Sequence, residues 1–355
     1  MCKWYFENGT LRTEVNYTDD EKEGLQKWYY QSGKLEEEAF YIKGKNTGIY
    51  KWYFENGNIE GEIDNIDDKK NGVKKDYYES GRLKKESVYV DDKQNGFEKK
   101  YFENGNLSFE CHLKDDQLNG LQKWYFENGK LDSEVNFVDN KKNGVQKWYS
   151  EKTGSLIYEV NYTNHLKNGI ERSYYENGKL RAETMFLNDT ENGPCKFYYE
   201  SGAIKRELNY KDGEFDGNLF TFWETGKIKR SDTYKNGKLV SGKTYDAEGN
   251  ETEYYAYRIL PLYAEGREAY MKYMETAINY PENARKKGIS GEVILKVYIE
   301  ADGSIGDVTV AIGIDKELDE EAIRVMKNMG KWTPLIEDGE KTRLCVKFPI
   351  TFSPQ

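Results

Sequence analysis

Ten glycines set the frame for the first two thirds of this chain. Gly9, Gly33, Gly57, Gly81, Gly105 and Gly129 stand 24 residues apart; after one inserted residue the ladder resumes at Gly154, Gly178, Gly202 and Gly226. Most close an aromatic phrase such as Trp124-Tyr125-Phe126-Glu127-Asn128-Gly129. A period of this length marks a repeat architecture, in which each unit packs on its neighbours and on nothing else. Such an array offers a long surface and no natural pocket, which argues for binding before chemistry.

With the glycine as position zero, aromatics recur at −3, −4 and often −5, and Leu or Ile sits at +2 from Leu11 to Ile228. Two β-prone runs joined through Asn-Gly predict a hairpin, because both residues tolerate positive φ. A helix is disfavoured by the frequent Gly and Asn and by the aromatic spacing. If Asn-Gly is a two-residue loop, position −6 faces +5. Those pairs read Lys27/Glu38, Lys51/Glu62, Lys75/Glu86, Lys99/Glu110, Lys123/Glu134, Arg172/Glu183 and Lys196/Glu207. In the tenth unit Phe220 and Ser231 stand there, so both charges vanish together. A longer, bulged turn would change this pairing. Each cross-strand ion pair is worth only about 0.2–1 kcal/mol, so the row reads as a solvated ladder that sets register.

A second glycine precedes the first by nine residues in most units, at Gly24, Gly48, Gly72, Gly96, Gly120, Gly169, Gly193 and Gly217. The polar segments before it, such as Asp67-Asp68-Lys69-Lys70-Asn71, read as turns between hairpins. Their carboxylates lack the alternating ligands and terminal glutamate of a calcium loop.

Only 37% of the 355 residues are hydrophobic, yet 30 Tyr, 15 Phe and 7 Trp supply the apolar mass of a shallow core rather than of a disordered chain. The net charge of −10 opposes nonspecific attraction to nucleic acid or an anionic bilayer. Cys2, Cys111, Cys195 and Cys345 have no paired spacing. Cys111 and Cys195 lie more than three repeats apart, roughly 30 Å at the strand spacing of a sheet, so four free thiols are expected. There is no run of 18 apolar residues and no secretory segment; the chain opens inside a repeat, which suggests a processed or truncated N-terminus.

The rhythm ends near residue 245. Residues 246–279 read as a linker with a short helix over Glu268–Ala277 that packs Tyr270 and Met274. Within 280–353, Pro281 suits the first turn of a helix carrying Ala284 and Arg285 and ended by Gly288. Val293, Leu295, Val297 and Ile299 alternate as a strand, and Asp302-Gly303 turns the chain toward Val308 and Val310. Leu318 to Met329 reads as a helix with Leu318, Ala322, Val325, Met326 and Met329 on one face, before a last strand with Val346, Phe348, Ile350 and Phe352 alternating. The order helix, hairpin, helix, strand describes a compact α+β domain.

Two resemblances follow from these residues. The phrase Gly120-Leu121-Gln122-Lys123-Trp124-Tyr125-Phe126-Glu127-Asn128-Gly129-Lys130-Leu131 resembles the variant MORN repeat, found in proteins labelled as YwqK-family antitoxins, and the likeness covers residues 1–245. It implies an elongated array of β-hairpins used for protein contacts. Residues 260–353 resemble the C-terminal domain of TonB energy transducers, through Pro261-Leu262-Tyr263-Ala264-Glu265-Gly266, Tyr280-Pro281-Glu282-Asn283-Ala284, Gly291-Glu292-Val293, Asp302-Gly303, Leu318-Asp319-Glu320-Glu321-Ala322, Lys331-Trp332-Thr333-Pro334, Gly339 and Phe348-Pro349-Ile350-Thr351-Phe352. That likeness implies binding to a short segment of an outer-membrane receptor by pairing with an edge strand. The candidate edge is Lys347, Phe348, Ile350, Thr351 and Phe352, with Pro349 removing one donor. The chain departs from a full transducer in lacking a membrane anchor and a Pro-rich spacer.

No catalytic constellation emerges. His112 and His165 lie in different repeats without further ligands at metal-site spacing, and no nucleophile elbow or phosphate loop is present. Trp332 reads as a core ring anchoring the loop after it rather than a peptide groove. The fold class expected is mainly β: an elongated single-layer array of stacked hairpins followed by a small α+β TonB C-terminal-like domain. The function expected is a noncatalytic adaptor of the cell envelope or periplasm, without cofactor or metal, that takes an outer-membrane receptor or periplasmic protein as partner and not nucleic acid. The alternative is an antitoxin-like array that inhibits a toxin in the cytoplasm.

Overall fold

The hairpin turns show how local chemistry builds the sheet. In the computed structural model, which describes residues 1–353, each of the ten repeat glycines donates its N–H back across the loop. Gly33 reaches Tyr30 O at 2.8 Å and Gly129 reaches Phe126 O at 2.8 Å. Tyr30 N–H in turn donates to Lys34 O at 2.8 Å, so three residues form the loop where the sequence suggested two. Only the glycine takes positive φ (Gly129 at 83°). Asn128 earns its place differently, because its Oδ1 accepts the Lys130 N–H at 3.0 Å. A bulge then compensates: Tyr29 faces Leu35 but Trp28 faces Glu37, leaving Glu36 extra. Lys27 consequently faces Glu38, the pairing a two-residue loop would have produced.

The two-residue turns lie at the other end of each hairpin. Asp67 and Asp68 both have positive φ, at 51° and 69°, between Ile66 and its partner Lys69. That is the primed geometry whose twist matches the strands. Asp19-Asp20, Asp91-Asp92, Asp115-Asp116 and Asp139-Asn140 repeat it. These turns also dock on one another. Asp68 Oδ1 accepts the Asn46 N–H at 2.8 Å, Asp92 the Lys70 N–H at 2.9 Å, and Asp116 the Gln94 N–H at 2.7 Å. Asn140 Oδ1 does the same for the Leu118 N–H at 2.7 Å, and His165 stands in that role one turn later, Nδ1 accepting from Lys142 N–H at 3.3 Å.

Strands therefore follow as a continuous antiparallel meander. Gly24–Tyr29 pairs with Leu35–Ile42, whose Glu37 and Glu38 face Trp52 and Lys51 of the following repeat. The inserted residue before Gly154 lengthens one loop, with Gly154 N–H reaching Ser150 O at 2.7 Å, and leaves the hairpin Gly144–Tyr149 with Leu156–Thr163 intact. The core is one side chain deep. Val15, Ala39, Ile63, Cys111, Val135, Val160 and Leu208, all at +6, are buried along one face. Their cross-strand partners at −7 include Gln26, Gln122 and Cys195, also buried.

The chain divides into two compact units, Met1–Gly242 with Ala247–Gly249, and Lys243–Asp246 with the residues from Asn250 onward. In the second, the sheet order is Ile305–Ile312, Gly291–Ile299, Leu344–Phe352, all antiparallel. Val293, Leu295 and Val297 on the central strand meet Leu318, Ala322, Val325 and Met326 of helix Lys316–Lys327 in one core. Asp315 caps that helix, its carboxylate accepting the Glu317 N–H at 3.0 Å. Helix Arg267–Ala277 lays Tyr270 and Met274 on the same core, and Tyr273 donates to Val325 O at 2.7 Å. Pro281 occupies the cap of helix Glu282–Lys286 rather than its first turn.

Candidate protein-binding surfaces

The last strand, Leu344–Phe352, is the outermost of its sheet and pairs on one side, with Gly291–Ile299. Its side chains alternate sharply. Ile350 and Phe352 are buried and Phe348 is half-buried, whereas Cys345, Lys347, Pro349 and Thr351 are exposed. Of the candidate edge residues, Lys347 and Thr351 thus present side chains to solvent, while Phe348, Ile350 and Phe352 hold the strand to the core. Proline is tolerated in a strand where its nitrogen faces away from the neighbour. Pro349 lies opposite Ile294, and an antiparallel ladder alternates, so the outward backbone set comprises Cys345, Lys347, Pro349 and Thr351.

Trp332 stands beside this strand. Its ring meets Tyr263, Tyr270 and Phe348 edge-on, with centroids 5.8, 6.0 and 5.9 Å apart. The ring packs against the domain core, and its backbone N–H donates to Gly303 O at 2.8 Å. The cluster stiffens the inner face of the strand whose outer edge is free.

One face of the array carries a polar ladder. Lys27 lies between Glu14 of the preceding repeat and Glu38 of its own, and this alternation runs through Arg172, which bonds Glu159 at 3.3 Å and Glu183 at 3.6 Å. A tyrosine at −4 completes each step, unseen in the sequence. Tyr53 donates to Glu38 at 2.7 Å, Tyr101 to Glu86 at 2.6 Å, Tyr125 to Glu110 at 2.6 Å and Tyr174 to Glu159 at 2.8 Å. In the tenth unit Phe222 replaces the tyrosine as Phe220 and Ser231 replace the charges, so the row ends as a whole. The signal was a Tyr sharing the period of the Lys/Glu pair.

Burial first, and then the bond to glutamate, push the phenols of Tyr29, Tyr77, Tyr149 and Tyr174 up to about 12. Folding thus favours the neutral phenol. Its contribution is complete below the ordinary tyrosine value near 10 and is lost as pH rises toward about 12, so array stability is expected to fall across that window. Ultraviolet titration should show delayed ionisation of these tyrosines, and Glu134→Gln should advance that of Tyr149. Unchanged titration in Glu134→Gln would remove the bond as a cause.

Among the described residues no cluster of His, Cys, Asp and Glu could hold a metal, and no helix is long and apolar enough to cross a membrane. All four cysteines are free; Cys111 and Cys195 are buried in the array, and burial pushes the Cys111 thiol up to about 11. His112 is exposed on its strand opposite Phe97, and His165 belongs to the turn stack.

Comparison with known proteins agrees with this anatomy. The Gram-negative bacterial TonB protein C-terminal family matches residues 276–354. The MORN repeat variant matches residues 2–19, 22–43, 46–65, 70–91, 94–115, 118–139, 167–188, 191–212 and 215–236, passing over the unit with the inserted residue, which folds as its neighbours do. No curated protein matches the chain. Two solution structures of the Helicobacter pylori TonB C-terminal domain are similar, at 24% and 25% identity. They cover 25% and 26% of this chain, 92% and 87% of their own, with TM-scores of 0.20 and 0.19. A crystal structure of TcdB2-TccC3 is similar at 14% identity over 67% of this chain and 15% of its own, with a TM-score of 0.17. The repeat matches span more than half of the sequence: the chain belongs to the MORN repeat variant family, its array fused to a TonB C-terminal-like domain.

Proposed function

We propose that the protein is a noncatalytic adaptor of the cell envelope, whose terminal domain takes a segment of an outer-membrane or periplasmic protein by strand pairing. The observation that supports this is the last strand, outermost in its sheet, anchored by Ile350 and Phe352 and exposing Lys347 and Thr351. An incoming strand would bond to the outward groups of Cys345, Lys347 and Thr351 and skip the nitrogen of Pro349. The match to the TonB C-terminal family supports a receptor segment as the partner.

The full chain, immobilised and exposed to the solubilised envelope of its own organism, is expected to retain a receptor. Thr351→Pro removes one outward donor and should reduce that recovery about tenfold with the fold intact by circular dichroism. Equal recovery by Thr351→Pro would exclude pairing along this edge, and no envelope partner for a folded chain would exclude the adaptor role. Neutralisation of a co-expressed toxin by residues 1–245 alone would favour the antitoxin alternative.

A further inference from the structure

Tryptophan stands at −5 in four units, as Trp4, Trp28, Trp52 and Trp124, and Trp148 is its equivalent at −6 in the unit with the inserted residue. What lies across the strand decides whether each ring is covered. Phe109 faces Trp124 and Tyr158 faces Trp148, with ring centroids 5.2 and 5.0 Å apart. Trp52 instead faces Glu37 on one side and Gly61 on the other, and its ring neighbour is Tyr50 on its own strand, centroids 5.5 Å apart. A Cβ on Gly61 would meet Trp52 Cζ2 at 2.1 Å, so the indole lies directly across bare backbone. A groove of about 580 Å³ opens there, walled by Trp28, Trp52, Tyr41 and Tyr50. Its size falls within the range of ligand sites, about 300–1,000 Å³.

We propose that this groove binds an extended neutral oligosaccharide, with sugar rings stacked on Trp28 and Trp52. The two tryptophans occupy equivalent positions in adjacent repeats, hence two strands or roughly 9.6 Å apart, which leaves room for one ring on each. The C–H face of a sugar ring complements the negative face of an indole. Hydroxyls need donors and acceptors together, and Glu37, Asn46, Asn65 and Lys70 line the same groove. Charge selects weakly: Asp68 and Asp92 oppose Lys70 and Lys74, and both carboxylates already accept backbone N–H bonds. Lys74 lies 5.3 Å from the Trp52 ring centre, held at 2.7 Å by Asp76, and Lys22 lies 6.0 Å from that of Trp28, so a ligand would displace two flexible side chains. A peptide has less to grip, because the strands beneath are paired on both sides and offer no free edge.

Calorimetric titration of the full chain with cellohexaose and with chitohexaose tests this. At least one is expected to bind, and Trp28→Ala or Trp52→Ala should each weaken it about tenfold. Trp124→Ala, whose ring Phe109 covers, should bind as the parent does. Should Trp52→Ala fail to fold, Trp52→Phe keeps a smaller ring and should lose affinity severalfold. Binding of neither hexasaccharide overturns the proposal, as does unchanged affinity in either Trp52 variant that folds. A groove that takes an aromatic-rich peptide and no sugar would also overturn it.

Discussion

Asp232→Ala is expected to destabilise the tenth repeat by about 3–5 kcal/mol, more than any surface change in the array. Asp232 occupies +6, where the other units place Val, Ala, Ile, Leu, Cys, Ser or Thr, and it lies opposite Leu219 in the buried row. Arg230, two residues earlier on the same face, donates to its carboxylate at 2.9 Å, and both side chains are 0% exposed. Removing the carboxylate takes the acceptor at 2.9 Å away from a guanidinium buried in the sheet. Replacing both, as Arg230→Met with Asp232→Leu, should recover most of the loss, since an apolar pair avoids desolvating two charges. Urea unfolding of the two variants measures the difference, and hydrogen exchange should place the damage first in Gly217–Lys235. Equal stability of Asp232→Ala and the parent would show that Arg230 reaches another acceptor at no cost.

The repeat period made the strands legible, and the side-chain alternation inside them gave the Lys/Glu register. That register was right for a reason the sequence did not display: a loop one residue longer than expected, offset by the bulge at Glu36. The turn chemistry was misplaced. Asn-Gly suggested primed turns, yet those lie at the opposite end, at Asp67-Asp68 and its equivalents. Three units spell it out, as Lys43-Gly44, Asp212-Gly213 and Asn236-Gly237. In several others a carboxylate takes the place of glycine and is secured by an N–H from the preceding repeat, a contact that exists only once repeats stack. The open groove beside Trp52 was hidden for a similar reason. The tryptophans were visible, but Gly61 lets the Trp52 indole lie over bare backbone across a strand pair that links positions nine residues apart. In the terminal domain the strands and long helix followed their periodicities, because one buried face dictates each. The pairing of Arg258–Ile259 with Leu335–Glu337 joins segments too short to carry a pattern.

Gly303→Ala should be the most damaging single methyl in the terminal domain. A Cβ at this position would lie 1.9 Å from the Trp332 carbonyl oxygen and 3.0 Å from its carbon. Those are backbone atoms, which cannot swing aside as the end of a long side chain can. Gly303 also has φ of 83°, and its carbonyl accepts the Trp332 N–H, so the two segments are held together as the methyl forces them apart. Backbone strain of about 1–3 kcal/mol and overpacking of about 1–3 kcal/mol add to a substantial share of a small domain's stability. Trp332 would move with its carbonyl and leave its contacts with Tyr263, Tyr270 and Phe348. Gly266→Ala supplies the control, because its φ is 89° but nothing lies within 4 Å of the added carbon, so it carries the backbone strain alone. Residue-resolved hydrogen exchange on the full chain should show protection lost across 291–352 in Gly303→Ala and kept across the repeats. If the two variants lose protection equally, the Trp332 segment absorbs the methyl without strain. If protection falls evenly from Trp4 to Phe352, array and terminal domain unfold as one cooperative body rather than as two.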